Sequence, residues 1–329
     1  MEPNQAPNPD HHAETSAAPW ERELIEKLAM ASLKEQKTAR RWGIFFKLLG
    51  FAYLTAILSA SLYPDLKQGI GATEKEHTAV IDIEGAIGEH EGGVSAKHII
   101  EGLQNALKDK NTVGVILNLN SPGGSPVQSA TVYDEIRRQK QLHPNIPIYS
   151  VVGDLCASGG YYIAAASDKI YVSPASLIGS IGVIMNGFGF NNTLDKLGIE
   201  RRLLTAGEHK ALLDPFSPLK IDEQKHMQTL LDQVHRQFID AVRAGRGGRI
   251  QDSDAGQVYS GLIWTGEQSI KIGLADDFGS VESVARDILG AETLVDYTPQ
   301  EHLLERLTGK LGASFGHALG ATLNFSGLR

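Results

Sequence analysis

The sequence predicts an α/β fold in which a largely parallel sheet carries helices on its faces. Three observations lead there. Short apolar runs alternate with runs of helical length from residue 79 onward, and strands that alternate with helices pair in parallel. Residues 222–244 carry Met227, Leu230, Leu231, Val234, Phe238 and Val242 at three- and four-residue spacing, the pattern of one long helix. Two glycine pairs, Gly123-Gly124 and Gly159-Gly160, follow apolar runs, as loops at the carboxyl edge of such a sheet do.

The elements follow in order. Ala79-Val-Ile-Asp-Ile83 reads as the first strand, 96–107 as a helix, 113–119 as a strand and 127–140 as a helix. The β-branched run at 148–152 is the next strand, and a helix is expected at 160–166. Short strands at 170–172 and 182–185 and a helix near 193–197 precede the long helix, which Gly245-Arg-Gly-Gly248 ends. Leu303, Leu307, Leu311 and Phe315 continue an apolar spacing that suits a packing helix, an oligomer contact or a membrane-facing surface.

With 329 residues the chain has ample core for one large domain or two ordinary ones. A net charge of -8 without a basic stripe argues against nucleic acid as a partner. Cys156 is the single cysteine, which rules out an internal disulfide and fits either redox compartment. Nothing in the pattern calls for a metal or an organic cofactor.

Residues 42–63 form the candidate membrane span. The window is about as long as a bilayer requires, Lys47 can snorkel to the interface, and Trp42 and Tyr63 suit the two headgroup layers. Pro64 is expected to end it. Lys34, Lys37, Arg40, Arg41 and Lys47 crowd the N-terminal side, so the N-terminus is expected in the cytoplasm and the rest outside it. The chain then divides into a disordered and charged helical tail (1–41), one transmembrane helix (42–63), a linker (64–77), a catalytic domain (78–290) and an amphipathic C-terminal tail (291–329).

The chemistry concentrates at Ser158. Between Ala157 and Gly159 at a strand-to-helix turn, its hydroxyl is unshielded, and the N–H groups of Gly159 and of Gly123 or Gly124 can converge on a carbonyl oxygen. The plain alternative is a small residue allowing tight packing, which Ala157 and Gly160 also suit. The hydroxyl needs a base, and Lys210, His209 and His143 are the candidates. Asp154 reads as a solvated turn residue rather than a partner for a histidine. Cys156, with no cationic neighbour in sequence, reads as a buried small residue rather than a nucleophile.

Asn120-Ser-Pro-Gly-Gly124, Ala157-Ser-Gly-Gly-Tyr-Tyr162, Ala165-Ala-Ser-Asp-Lys-Ile170, Ile178-Gly-Ser-Ile-Gly-Val183 and Gly207-Glu-His-Lys210 together resemble the signal peptide peptidase A (SppA) family of serine–lysine peptidases. The resemblance covers about 79–289 and implies the fold shared by Clp protease and the crotonase superfamily. It makes Ser158 the nucleophile, Lys210 the general base and Ser180 the accessory serine that hydrogen-bonds the amine. Gly159 falls on the oxyanion hole, with Gly123 or Gly124 as second donor. A lysine can take the serine proton only as the neutral amine, a form that desolvation favours.

The family also has double-length members. A single unit such as this one implies a homo-oligomer whose lysine crosses a subunit boundary. The resemblance implies a serine endopeptidase anchored once in a bacterial inner membrane, its catalytic domain periplasmic, that degrades cleaved signal peptides. Quality-control proteolysis of other exported polypeptides is the alternative within hydrolases. An acyl-CoA enzyme shares the fold, but the exported location and the absence of a carboxylate pair in the glycine loops count against it. An inactive scaffold is opposed by the intact Ser158 and Lys210.

Overall fold

The computed structural model describes residues 19–70, 75–89, 92–251 and 256–299. The expectations for the N-terminal tail before Pro19 and for the apolar spacing from Leu303 to Phe315 lie outside the described residues. The chain separates into two units, Met1–Gly71 with His302–Arg329, and Ala72–Glu301.

In the first unit the described residues form one helix, α1 (Pro19–Ile70), 52 residues long. It passes through Pro64, where the sequence suggested a stop, because a proline deletes one backbone hydrogen bond without obliging a helix to end. Much of the expected linker is thus helical. Among the described residues no helix is long and apolar enough to cross a membrane. Apart from Lys47, the 42–57 part of α1 is nonetheless predominantly apolar, with Trp42, Phe45, Phe46, Leu49, Phe51 and Leu54 all exposed.

The second unit is built on a sheet with strand order β6-β5-β3-β2-β1-β8, with β4 and then β7 added alongside β3. The first three strands are β1 (His77–Glu84), β2 (Thr112–Ser121) and β3 (Ile148–Ala157). The short strands are β4 (Lys169–Val172), β5 (Leu177–Gly179), β6 (Ile263–Thr265), β7 (Asp277–Phe278) and β8 (Leu294–Asp296). Every pairing is parallel except β5 with β6. Helices α2 (Ala96–Lys108) and α3 (Pro126–Leu142) are the crossovers that make this possible. Both start on a serine cap: Ser95 accepts from the His98 N–H and Ser125 from the Gln128 N–H, and Pro126 occupies the first turn of α3.

Alternate residues of the strands face the main core. Ile81, Ile83, Leu117 and Leu119 meet Ile99 and Leu103 of α2 and Val132 and Ile136 of α3. A smaller cluster of Ile116, Val151, Tyr171, Val284 and Ala285 covers part of the other face. Toward the carboxyl edge that face becomes polar, with Asp82, Asn118 and Asn120 around one shallow pocket.

The strand expected at 182–185 is not there; β5 forms three residues before Gly182. Gly179 and Ser180 both have positive φ, 114° and 51°, which turns the chain off the sheet. Strand β8 pairs with β1, so the sheet continues past residue 290, where the sequence reading placed the domain's end. The helix expected near 193–197 forms as α5 (Asn191–Leu197), and the long helix, α6 (Ile221–Arg246), matches its prediction. Its buried apolar residues, Phe238, Ala241 and Val242, lie in the second half, while Leu230 is exposed and Met227 and Leu231 are half-buried.

Candidate active site

On the side away from β2, strand β3 serves two neighbours. Its first half pairs with β4 and its last three residues pair with β5, Ala157 opposite Gly179. Ser158 and Ser180 are the next residues on these two strands, so the register alone brings them side by side, strands in a sheet being about 5 Å apart. The Ser158 N–H donates to the Gly179 carbonyl at 2.9 Å, and the Ser180 N–H donates to the Leu262 carbonyl at 2.7 Å.

Ser158 sits at φ 51° and ψ -121°, between β3 and the short helix α4 (Gly159–Ala164). Only glycine adopts that backbone without strain, which costs a serine about 1–3 kcal/mol. The strain persists because α4 is pinned. The Tyr161 hydroxyl donates to the Leu274 carbonyl at 2.8 Å, and Tyr162 stacks on Phe238 with ring centroids 4.8 Å apart.

The glycine loop after β2 packs against this turn. A Cβ on Gly123 would stand 2.5 Å from the Gly159 nitrogen and 2.7 Å from the Ser158 Cβ. The Gly123 N–H is spent on the Ser121 hydroxyl oxygen at 3.1 Å, and that hydroxyl donates to the Gly85 carbonyl at 2.6 Å. The Gly124 N–H has no acceptor among the described residues, and Gly159, at the first position of α4, has no intrahelical partner for its own. A Cβ on Gly159 would lie 3.1 Å from the Gly124 nitrogen, so these two donors share one small region beside Ser158.

A cleft of about 860 Å³ opens over this region. Ser158, Gly159, Gly124 and Ser180 line it together with Val127, Ala130, Asp134, Tyr162, Val234 and Phe238. Sequence reasoning did not single out Ser121 or Ser129. Ser129, buried on α3, touches Gly159 and donates its hydroxyl to the Ser125 carbonyl at 2.9 Å. Nor did it find His235 on α6, whose Nε2 donates to the Ile181 carbonyl at 3.0 Å and so holds the segment after Ser180. Ser121 lies inside the Asn-Ser-Pro-Gly-Gly run. For Ser129 and His235 the sequence carries no signal, since their partners are set by tertiary packing.

Lys210 is not among the residues lining that cleft. It is exposed, in a turn closed by its own N–H donating to the Gly207 carbonyl at 3.2 Å. Ala211 and Leu213, its apolar neighbours, line a separate cavity of about 620 Å³ with Phe188 and Met227. His209 is exposed as well, with Nδ1 3.7 Å from Glu223, and His143 ends α3. Cys156 is fully buried, and that burial pushes its thiol well up from the ordinary value, so it has no thiolate to offer. The fold thus assembles Ser158, Ser180, Gly123, Gly124 and Gly159 within one chain and leaves Lys210 outside the cleft.

Comparison with known proteins places this arrangement. Residues 140–293 match Peptidase family S49, and Ser158, Ser180 and Lys210 all fall inside the match. A Methanocaldococcus jannaschii protein named as a candidate protease is 30% identical over 234 residues, 69% of this chain and 74% of that protein. The chain belongs to peptidase family S49. An Enterococcus faecium member named as a candidate signal peptide peptidase SppA is 34% identical over 201 residues, 61% of this chain and 57% of its own length. A Brucella abortus protein named Na(+)/H(+) antiporter NhaA is 40% identical over 215 residues, 65% of this chain and 29% of that protein. The chain therefore spans less than a third of that Brucella protein and a little over half of the Enterococcus one. This S49 chain is also similar to a solved membrane-bound stomatin-specific protease in complex with a substrate peptide. The TM-score is 0.46 at 15% identity, over 72% of this chain and 98% of that one.

Proposed function

We propose that this chain is a serine endopeptidase in which Ser158 attacks the peptide carbonyl and Lys210, from a neighbouring copy, accepts its proton. The observation that carries the reading is the strained Ser158 at the floor of the cleft, with two unengaged N–H groups, Gly159 and Gly124, beside it.

The Ser158 oxygen adds to the carbonyl carbon as its proton passes to the neutral amine of Lys210. The carbonyl oxygen becomes an oxyanion held by Gly159 and Gly124. Collapse breaks the carbon–nitrogen bond, the ammonium returns the proton to the departing amine, and an acyl-enzyme remains on Ser158. Water then adds with the same amine as base and frees the acid. Gly124 takes the second oxyanion position because the Gly123 N–H already has an acceptor. Ser180, which follows β5 next to Ser158, orients the amine in this reading.

Support for a second copy comes from the excursion that carries Lys210. Ile184, Phe188, Leu204, Leu219 and Ile221 are large apolar side chains exposed between β5 and α6, and Leu204 is 97% exposed. So many exposed apolar side chains from β5 to the start of α6 suit an interface. The membrane anchor is part of the same proposal. It rests on the apolar belt of α1 at 42–57, which the sequence continues through Leu58 and Leu62, and on the basic residues before it, which favour a cytoplasmic N-terminus and a catalytic unit across a bacterial inner membrane. Signal peptides left after secretion are the substrates such a location would supply.

Incubation of the full-length, detergent-solubilised protein with synthetic signal peptides, followed by mass spectrometry of the products, tests the reading. Cleavage that is lost in Ser158→Ala supports it. Undiminished cleavage by Ser158→Ala rejects the serine mechanism.

A further inference from the structure

We infer that Asp134 gives the cleft a preference for a lysine or arginine side chain next to the cleaved bond. The inference deepens the peptidase reading and rests on it.

Three observations carry it. First, Val127, Ala130, Thr131 and Asp134 all line the cleft, and their spacing of three and four residues puts them on one face of α3. That face starts just after Gly124 and runs along the cleft that Ser158 also lines. Asp134 is seven residues beyond Val127, or about 10 Å down the helix at 1.5 Å per residue. A lysine or arginine stem reaches roughly 6–7 Å, and a hydrogen bond adds about 3 Å. The carboxylate therefore stands where the head of such a side chain would arrive.

Second, the intervening wall is mostly apolar, and the one hydroxyl on it between Val127 and Asp134, that of Thr131, is spent on the Val127 carbonyl at 2.8 Å. Val127, Ala130, Tyr162 and Phe238 offer methyl groups and ring faces to an aliphatic stem. A leucine would touch the same wall and stop short of Asp134.

Third, Asp134 is unspent while its neighbour is fully used. The Glu135 carboxylate accepts from Arg138 at 2.7 Å, from Gln104 at 2.8 Å and from Gln139 at 2.8 Å. No ion pair or hydrogen bond engages the Asp134 side chain among the described residues. Asp134 is the one acidic residue lining the cleft among them. An unpaired carboxylate, exposed at the end of a mostly apolar wall, selects a cation over an isosteric apolar group.

The experiment compares kcat/KM of the full-length protein on two fluorogenic peptides that differ only in lysine or leucine before the cleaved bond. The wild type should favour the lysine peptide, and Asp134→Asn should lower the lysine-to-leucine ratio about tenfold. Asp134→Lys should cleave a third peptide, with glutamate at that position, faster than the wild type does, a gain that misfolding cannot produce. A wild-type preference for leucine, or a ratio unchanged by Asp134→Asn, overturns the inference. If the wild type cuts no peptide of any kind, it is the peptidase reading that fails, and this inference with it.

Discussion

Gly123 lies so close to Ser158 that a methyl group on its Cα would stand 2.7 Å from the Ser158 Cβ. The glycine loop after β2 and the serine turn after β3 are thus one packed object. Replacing Gly123 by alanine should push the two apart, since the methyl would also meet the Ala157 carbonyl oxygen at 2.7 Å and the backbone has φ 93°. A shift of about 1 Å at a reacting group costs on the order of a hundredfold in rate. Gly123→Ala should therefore lower kcat at least that far, measured on a cleaved peptide. Activity within twofold of the wild type would show that the loop is not coupled to Ser158.

The strain at Ser158 makes a second outcome predictable. Glycine adopts φ 51°, ψ -121° freely, so Ser158→Gly should raise stability by roughly 1 kcal/mol while abolishing cleavage. Urea unfolding of both proteins reads the difference, and a less stable variant would argue against a strained turn.

Beneath α4 the Arg246 guanidinium is fully buried and pairs with Asp276 at 2.7 and 3.1 Å, while its Nε donates to the Gly273 carbonyl at 3.0 Å. Asp276 in turn accepts from the Ile170 N–H at 2.7 Å, tying the pair to β4. Removing one partner leaves an uncompensated charge inside, which typically costs about 3–5 kcal/mol. Asp276→Ala should show a loss of this size in denaturant unfolding. A loss under 1 kcal/mol would mean that water reaches the pair.

Glu135 supplies a pH signature. Hydrogen bonds from Arg138 hold its carboxyl down to about 2 from its ordinary 4.5. A depressed folded-state value means stability that is fully present above the unfolded value and is lost as pH falls from about 4.5 toward 2. Glu135→Gln, which cannot titrate, should be less stable than the wild type at pH 6 and should lose less between pH 5 and pH 2. Parallel melting-temperature curves for the two proteins over that range would remove Glu135 from the acid response.

The central strands and crossover helices were legible because their burial is periodic. Ala79, Ile81 and Ile83 alternate along β1, and Ile99, Leu103 and Ala106 repeat along α2. Strands β6, β7 and β8 were not, since two or three residues hold no period and their pairing is set by chain far away in sequence, as when Val80 meets Asp296. Residues 182–185 looked like a strand by composition, yet the positive φ at Ser180 comes from the tertiary bond of its N–H to Leu262. Ser158 could be found because small neighbours in a strand-to-helix turn have a local cause. The choice between Gly123 and Gly124 could not, as it turns on the Ser121 hydroxyl, which accepts from the N–H two residues ahead while donating to the distant Gly85 carbonyl. The position of Lys210 was equally hidden, because nothing in a short exposed turn fixes what it will meet.

The most direct test of the account mixes two inactive proteins. Ser158→Ala chains keep Lys210, and Lys210→Ala chains keep Ser158. Equal amounts of differently tagged chains are combined under conditions that let copies exchange, and peptide cleavage is measured before and after. If Lys210 serves the Ser158 of a neighbour, random exchange restores about a quarter of the sites, and activity should rise to about that fraction of the wild type. Confirmed exchange with no recovered cleavage would contradict a site shared between copies.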